Sequence, residues 1–240
     1  MSTLSVWLAV GAILSISTFV RGTLGFGNAL LAMPLLALML GIRVATPLVA
    51  LSSFTVAMLM LLGNWRDVEL QSAWRLVLAS FLGIPLGLWL LQGAPETLVK
   101  GLLGVVLVLF GLFNLTTLRL PRLTWKPAAF AFGFMAGVLG GAYNTNGPPI
   151  IVYGVLTRWT PEQMRATLQG YFLPAGILIL TGHGLAGLWT PEVLRFYVLT
   201  LPLVVLALLA GSRLSRKLPP GRFDKLVYGS LVFMGVLLIV

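Results

Sequence analysis

Apolar runs long enough to cross a bilayer recur from one end of this chain to the other, and that recurrence leaves few folds open. A helix rises 1.5 Å per residue, so about 20 apolar residues cover a hydrocarbon core of roughly 30 Å. The apolar segments fall at 4–40, 44–62, 72–91, 97–118, 127–157, 163–182, 191–211 and 222–240. Strand-like alternation is absent, which argues against a barrel. With 58% hydrophobic and 9% charged residues, the chain lies far from soluble domains, where about a quarter of residues are charged. An all-α integral membrane protein of about eight apolar segments is expected.

The run Leu4 to Val20 has no Lys or Arg before it and no small-residue cleavage site after it, so it is expected to remain in the mature protein. Sixteen basic residues stand against six acidic ones. In a soluble chain that balance would suggest nucleic acid; here the basic residues cluster at the ends of apolar runs, which is a topology signal. The absence of cysteine excludes disulfides, thiol catalysis and Cys-ligated metals. No metal-ligand cluster and no cofactor motif is visible. The bilayer is the expected environment and a small anion the expected ligand, while a homo-oligomer is left open.

Two of the segments are too long. A continuous helix over 4–40 would reach about 55 Å. Both long segments are interrupted by polar, glycine-rich text: "RGTLGFGN" from Arg21 to Asn28 and "AYNTNGPP" from Ala142 to Pro149. A shift of 119 positions aligns the interruptions, pairing Gly22 with Gly141, Gly25 with Asn144, Gly27 with Asn146 and Asn28 with Gly147. "KGLLGVVLVLFG" at Lys100 and "KLVYGSLVFMGV" at Lys225 also resemble each other. The expected organisation is a first membrane repeat over 1–118, a cytoplasmic linker over 119–126 and a second repeat over 127–240, each repeat a broken segment followed by three transmembrane helices.

Charge placement orients the halves. Arg119, Arg122 and Lys126 mark one cytoplasmic connection, and Arg213, Arg216, Lys217, Arg222 and Lys225 another. Two segments lie between them, so the segment at 127–157 contributes an even number of crossings. That reads as a re-entrant hairpin, with a pair of short spans as the alternative. The two halves then become inverted copies, with Gly/Pro-interrupted helices meeting near the midplane, a recurrent transporter plan. Arg43 is placed outside by this scheme and fits it least well.

Non-helical backbone at membrane depth survives where it is buried in protein or lines a cavity. A helix restarting after a break presents unpaired N–H groups and its positive dipole end, a ready anion site. The candidate ligands are therefore Gly25, Gly27, Asn28 and Ala29 from the first break, and Tyr143, Asn144, Thr145, Asn146 and Gly147 from the second, with Tyr153 as another source of a phenol. Pro148 and Pro149 remove donors from the second arm, so the first break is expected to supply more backbone N–H and the second more side chains. Arg21 either draws an anion or snorkels to a headgroup, and Arg165 faces the same choice. Gln169 and Tyr171 are better placed to line a cavity than to touch lipid, with helix packing as the alternative. Ser52, Ser53 and Thr55 are first-half candidates unless they bond back to their own helix.

Gly133, Gly137 and Gly141, and Gly83 with Gly87, read as small-residue faces for close helix packing. His183, in "TGHGLAG", reads as a solvated turn residue. No carboxylate stands in mid-segment to carry a proton or hold sodium, and no acid–base pair supports an enzyme. Export of an anion from a negative interior needs no coupling ion, because each charge gains about 2.3 kcal/mol per 100 mV.

With these motifs placed, the chain resembles the TauE/SafE (TSUP) family of sulfite exporter-like membrane proteins over nearly its whole length. "GTLGFGNALLAMPLL" (Gly22 to Leu36) is similar to the family's first motif, "GGAYNTNGPPIIVY" (Gly140 to Tyr153) to the second, and "RATL" (Arg165 to Leu168) to the text opening the next helix. Asn28, Asn144 and Asn146 stand where glycines are common. The resemblance implies a secondary transporter or exporter of sulfite, an organosulfonate or a related sulfur oxyanion in the bacterial inner membrane, not an enzyme. An uncoupled anion channel and a transporter of a small carboxylate are the alternatives.

Overall fold

The computed structural model describes residues 3–64, 70–116, 121–125, 127–215 and 222–239. Arg119, Lys126, Arg216 and Lys217 lie outside the described residues, as do the side chains of Arg165 and Arg222. Among the described residues there are ten helices and no strand: α1 (Thr3–Leu24), α2 (Asn28–Leu40), α3 (Ile42–Asn64), α4 (Leu70–Gly93), α5 (Glu96–Leu115), α6 (Ala128–Tyr143), α7 (Gly147–Thr157), α8 (Pro161–Leu185), α9 (Pro191–Ser215) and α10 (Arg222–Ile239). Of these, α1, α3, α4, α5 and α9 are long and apolar enough to cross a membrane. The protein is a helical, multi-pass membrane protein.

Each long apolar segment is two helices. The first divides into α1, with 22 residues, and α2, with 13; the second into α6, with 16, and α7, with 11. Thirteen residues of helix reach only about 20 Å, so α2 and α7 fall short of a full crossing. The helix ends keep the 119-residue offset seen in the sequence: α1 stops at Leu24 and α6 at Tyr143, α2 starts at Asn28 and α7 at Gly147, α3 starts at Ile42 and α8 at Pro161.

The order of elements thus recurs after five helices, and so does the packing. The most extensive contacts are α4 along α6, α1 along α9, and α5 against α10. Small residues bring these pairs together. A methyl group at Gly137 would lie 2.5 Å from the Ser80 carbonyl oxygen and 3.0 Å from the Cα of Gly83, while one at Gly133 would lie 2.5 Å from the Leu76 carbonyl. Gly83, Gly87 and Gly141 meet the opposing backbone even more closely. Gly22 and Gly211 play the same part between α1 and α9, and Gly104 and Gly235 between α5 and α10. Hydrophobic collapse is not available inside a bilayer, so close van der Waals approach through small residues is what holds such pairs.

His183 corrects the expectation of a solvated turn. Its side chain is fully buried in the last turn of α8, and its ring Nε2 lies 3.1 Å from the Gly141 carbonyl. That oxygen only accepts, so Nε2–H donates. Glycines at 182 and 184 suggested a turn, but packing against the end of α6 carries the helix past them, as tertiary context commonly overrides propensity. Thr46 Oγ1 on α3 donates to the next carbonyl, Ala142, at 3.2 Å. The end of α6 is therefore pinned from both sides at the carbonyls that a helix terminus leaves unpaired.

Candidate functional site between two helix breaks

The backbone at the two breaks explains their composition. Gly25 and Gly27 have φ of 87° and 99°, and Asn144 has φ of 54°. This left-handed region is open to glycine and, at small cost, to asparagine. Gly25 and Asn144 occupy corresponding positions, so one backbone demand is met by two residue types. Asn144 also closes α6, its N–H donating to the Gly140 carbonyl at 2.8 Å.

After the first break the earliest α2 hydrogen bond runs from Leu31 N–H to the Gly27 carbonyl at 3.2 Å. The amides of Asn28, Ala29 and Leu30 precede it, and no side chain caps this end. After the second break, Pro148 and Pro149 supply no N–H, so of the first three α7 positions Gly147 alone carries an amide.

The breaks enclose a cavity of about 40 Å³, several times what a single water needs. Arg21, Phe26, Gly27, Asn28, Ala29 and Leu30 line it from the first break, and Asn144, Thr145, Asn146 and Gly147 from the second. Helix α3 contributes Ala50, Ser53, Phe54 and Ala57, and α8 contributes Phe172 and Gly176. Several of these residues pair under the same offset: Phe26 with Thr145, Gly27 with Asn146, Asn28 with Gly147, Ser53 with Phe172 and Ala57 with Gly176. Positions related by that offset thus face one space.

Arg21 dominates the electrostatics. It is 3% exposed, so it does not snorkel. Its Nη1 donates to Asn28 Oδ1 at 3.0 Å and to the Ser53 carbonyl at 3.2 Å. Its guanidinium carbon lies 5.2 Å from the centre of the Phe172 ring, a cation–π contact. Nε and Nη2 are buried with no partner. The ion pair of Lys100 with Glu96, at 2.8 Å, lies elsewhere, and among the described residues that line the cavity no carboxylate balances Arg21. A buried, unpaired cation is costly, by several kcal/mol in real proteins, and it is relieved by an anion.

Ser53 joins the two breaks. Asn28 Nδ2 donates to its Oγ at 2.8 Å, and Asn144 Nδ2 does so at 2.9 Å while also reaching the Val49 carbonyl at 3.3 Å. Thr145 Oγ1 is buried without a partner.

Of the residues singled out from sequence, nine come together around the cavity: Arg21, Gly27, Asn28, Ala29, Ser53, Asn144, Thr145, Asn146 and Gly147. Gly25 shapes the first turn but does not line the space. Tyr143 is buried beside it with its hydroxyl unpaired. Gln169 is half-buried outside the lining. Tyr171 is spent elsewhere, its hydroxyl 2.8 Å from Ser80 Oγ at the junction of α4, α6 and α8. Tyr153 meets Trp159 edge to face, with centroids 5.4 Å apart. Thr55 bonds back to Leu51 and meets the Tyr197 hydroxyl at 2.7 Å. The Arg165 side chain is outside the described residues. Sequence reasoning missed the aromatic wall of Phe26, Phe54 and Phe172, whose signal was present for Phe172: it is Ser53 shifted by 119.

Two helix breaks, one carrying Gly25 and Gly27 and the other Asn144 and Asn146, line a single cavity, and comparison with known proteins decides the family. The model of the sulfite exporter TauE/SafE family matches residues 8–238. The chain belongs to the TauE/SafE family. It is similar to a protein from Cupriavidus necator described as a probable sulfite/organosulfonate exporter TauE, at 26% identity over 238 residues, covering 95% of this chain and 91% of the relative. No solved structure matches. TauE/SafE proteins are transporters rather than enzymes. Among the described residues of this TauE/SafE protein, no group of three His, Cys, Asp or Glu side chains is placed to hold a metal.

Proposed function

We propose that this TauE/SafE protein exports a small sulfur oxyanion, sulfite or an organosulfonate, across a bacterial inner membrane, and that the anion binds in the cavity between the two helix breaks. The observation that carries this reading is Arg21, buried at the cavity with Nε and Nη2 unpartnered and no carboxylate among the described residues that line it. An oxyanion there would take up those donors, the α2 N-terminal amides and the Thr145 hydroxyl, replacing its hydration by fixed dipoles. The probable sulfite/organosulfonate exporter TauE of Cupriavidus necator points to the same substrate class.

The halves act as inverted repeats, one over 1–118 and the other over 127–240, joined by a cytoplasmic linker. The recurrent helix order and the paired lining residues support this reading. Alternate exposure of the cavity would follow from rocking one half against the other, with the membrane potential driving the anion outward.

The test is direct binding of sulfite and methanesulfonate to purified protein, with Arg21→Gln and Arg21→Lys beside the parent. Loss of a buried charge pair's partner costs 2 or more kcal/mol, so Arg21→Gln should weaken binding by about thirtyfold or more. Arg21→Lys keeps the charge but not the fork and should fall between. Parent-like binding by Arg21→Gln would remove the cavity as the binding site.

A further inference from the structure

Ser53 is held in a chain of hydrogen bonds whose two ends are chemically fixed. At one end Arg21 can only donate, so the atom of Asn28 facing it is Oδ1. Nδ2 of Asn28 must then face Ser53 and donate to Oγ. At the other end the Val49 carbonyl can only accept, so the atom of Asn144 facing it is Nδ2, which also donates to Ser53 Oγ. Neither amide can be flipped without setting like against like. A hydroxyl has two acceptor sites and one proton, and both acceptor sites of Ser53 are taken.

The Ser53 proton is therefore left to donate. Ser15, Thr55 and Ser80 donate to a carbonyl one turn back on their own helices, at 2.7, 3.1 and 2.8 Å. Ser53 makes no such bond among the described residues, and it lines the cavity.

We infer that Ser53 is a specificity-determining residue of the anion site: its hydroxyl is locked as a donor toward the cavity, so that it accepts a fully deprotonated oxyanion and rejects one that presents an O–H at that position. This rests on the binding site proposed above. A ligand hydroxyl there would meet the Ser53 proton with the amide donors of Asn28 and Asn144 behind it. Arg21 is the one titratable group among the residues lining the cavity, so the discrimination resides in hydrogen-bond polarity rather than in a titrating side chain. The corresponding position in the other half is Phe172, so the selection is made from one side only.

The test compares two ligands of nearly the same shape and equal charge that differ by one proton: methanesulfonate and the methylphosphonate monoanion, the latter kept below its second ionisation. Titration calorimetry on purified parent, Ser53→Ala and Ser53→Thr reads their affinities. The parent should prefer methanesulfonate by about tenfold or more. Ser53→Ala should narrow that preference to within about threefold, while Ser53→Thr, which keeps the hydroxyl, should retain it. A Ser53 that merely positioned the asparagines would lower both affinities together and leave their ratio unchanged. A parent that fails to discriminate, or a folded Ser53→Ala variant that still does, overturns the inference. Should Ser53→Ala not fold, a Ser53→Thr variant that loses the preference overturns it equally. Absence of methanesulfonate and sulfite binding by the parent instead contradicts the proposed site, and the role of Ser53 falls with it.

Discussion

Asn144 carries two duties that substitution can separate. Its backbone sits at φ 54°, and its amide reaches both Ser53 and Val49. Asn144→Gly keeps the left-handed turn without steric cost and removes the amide; Asn144→Ala removes the amide too but holds a Cβ in the left-handed region, about 1–2 kcal/mol less favourable than glycine there. Both variants should lose affinity for methanesulfonate to a similar degree. The alanine variant should then unfold below the glycine variant, by about 2–4 °C per kcal/mol of that strain, measured as a thermal midpoint in detergent. Equal midpoints would contradict the backbone argument, and parent-like affinity in both would take Asn144 out of the site. That these positions mattered was legible because polar residues interrupted an apolar segment. Which atoms meet was not, because a shift in sequence pairs positions and says nothing of rotamers. Tyr171 shows the limit: its place a turn or more inside the segment 163–182 suggested a cavity wall, and Ser80 on another helix captured its hydroxyl instead.

At the scale of helices, the glycines that let α4 lie on α6 set how closely the two can approach. A methyl group at Gly137 would stand 2.5 Å from the Ser80 carbonyl oxygen, so Gly137→Val must push the backbones apart. Gly229, by contrast, has open space where a methyl group would go, and Gly229→Ala should be neutral or slightly stabilising, since alanine is the better helix former by about 1 kcal/mol. Folded yield after size-exclusion chromatography should fall severalfold for Gly137→Val and hold for Gly229→Ala; the reverse order would refute the packing account. The spacing of Gly133, Gly137 and Gly141 made this face readable without the fold. His183 was misread because nothing local in "TGHGLAG" reports that α6 ends against it. His183→Ala leaves the Gly141 carbonyl unpaired in a buried place, at a cost of about 1–3 kcal/mol. A thermal midpoint unchanged in His183→Ala would mean that the end of α6 is held by Thr46 and packing alone.

For the molecule as a whole, the 119-residue offset was legible because the same physical demand recurs: a segment too long for one crossing must break, and a break must be sheltered. The halves nonetheless contribute unequally to the shelter. Arg21 corresponds to Gly140, whose neighbourhood is filled by Ile179 and Asn146, and Ser53 corresponds to Phe172. One half thus brings the charge and the locked hydroxyl, and the other brings an aromatic face and the Asn-Thr-Asn turn. An anion held between them would be gripped by both, which is what coupling its passage to relative movement of the halves requires. The measurement that tests this most directly is charge movement in proteoliposomes under an imposed membrane potential, with sulfite, methanesulfonate, taurine, sulfate and short carboxylates in turn, for the parent and for Arg21→Gln. The account predicts a saturable current carried by a sulfur oxyanion, driven by voltage, indifferent to a pH gradient and lost in Arg21→Gln. A current of equal size in Arg21→Gln, or one that requires a proton gradient, would contradict it.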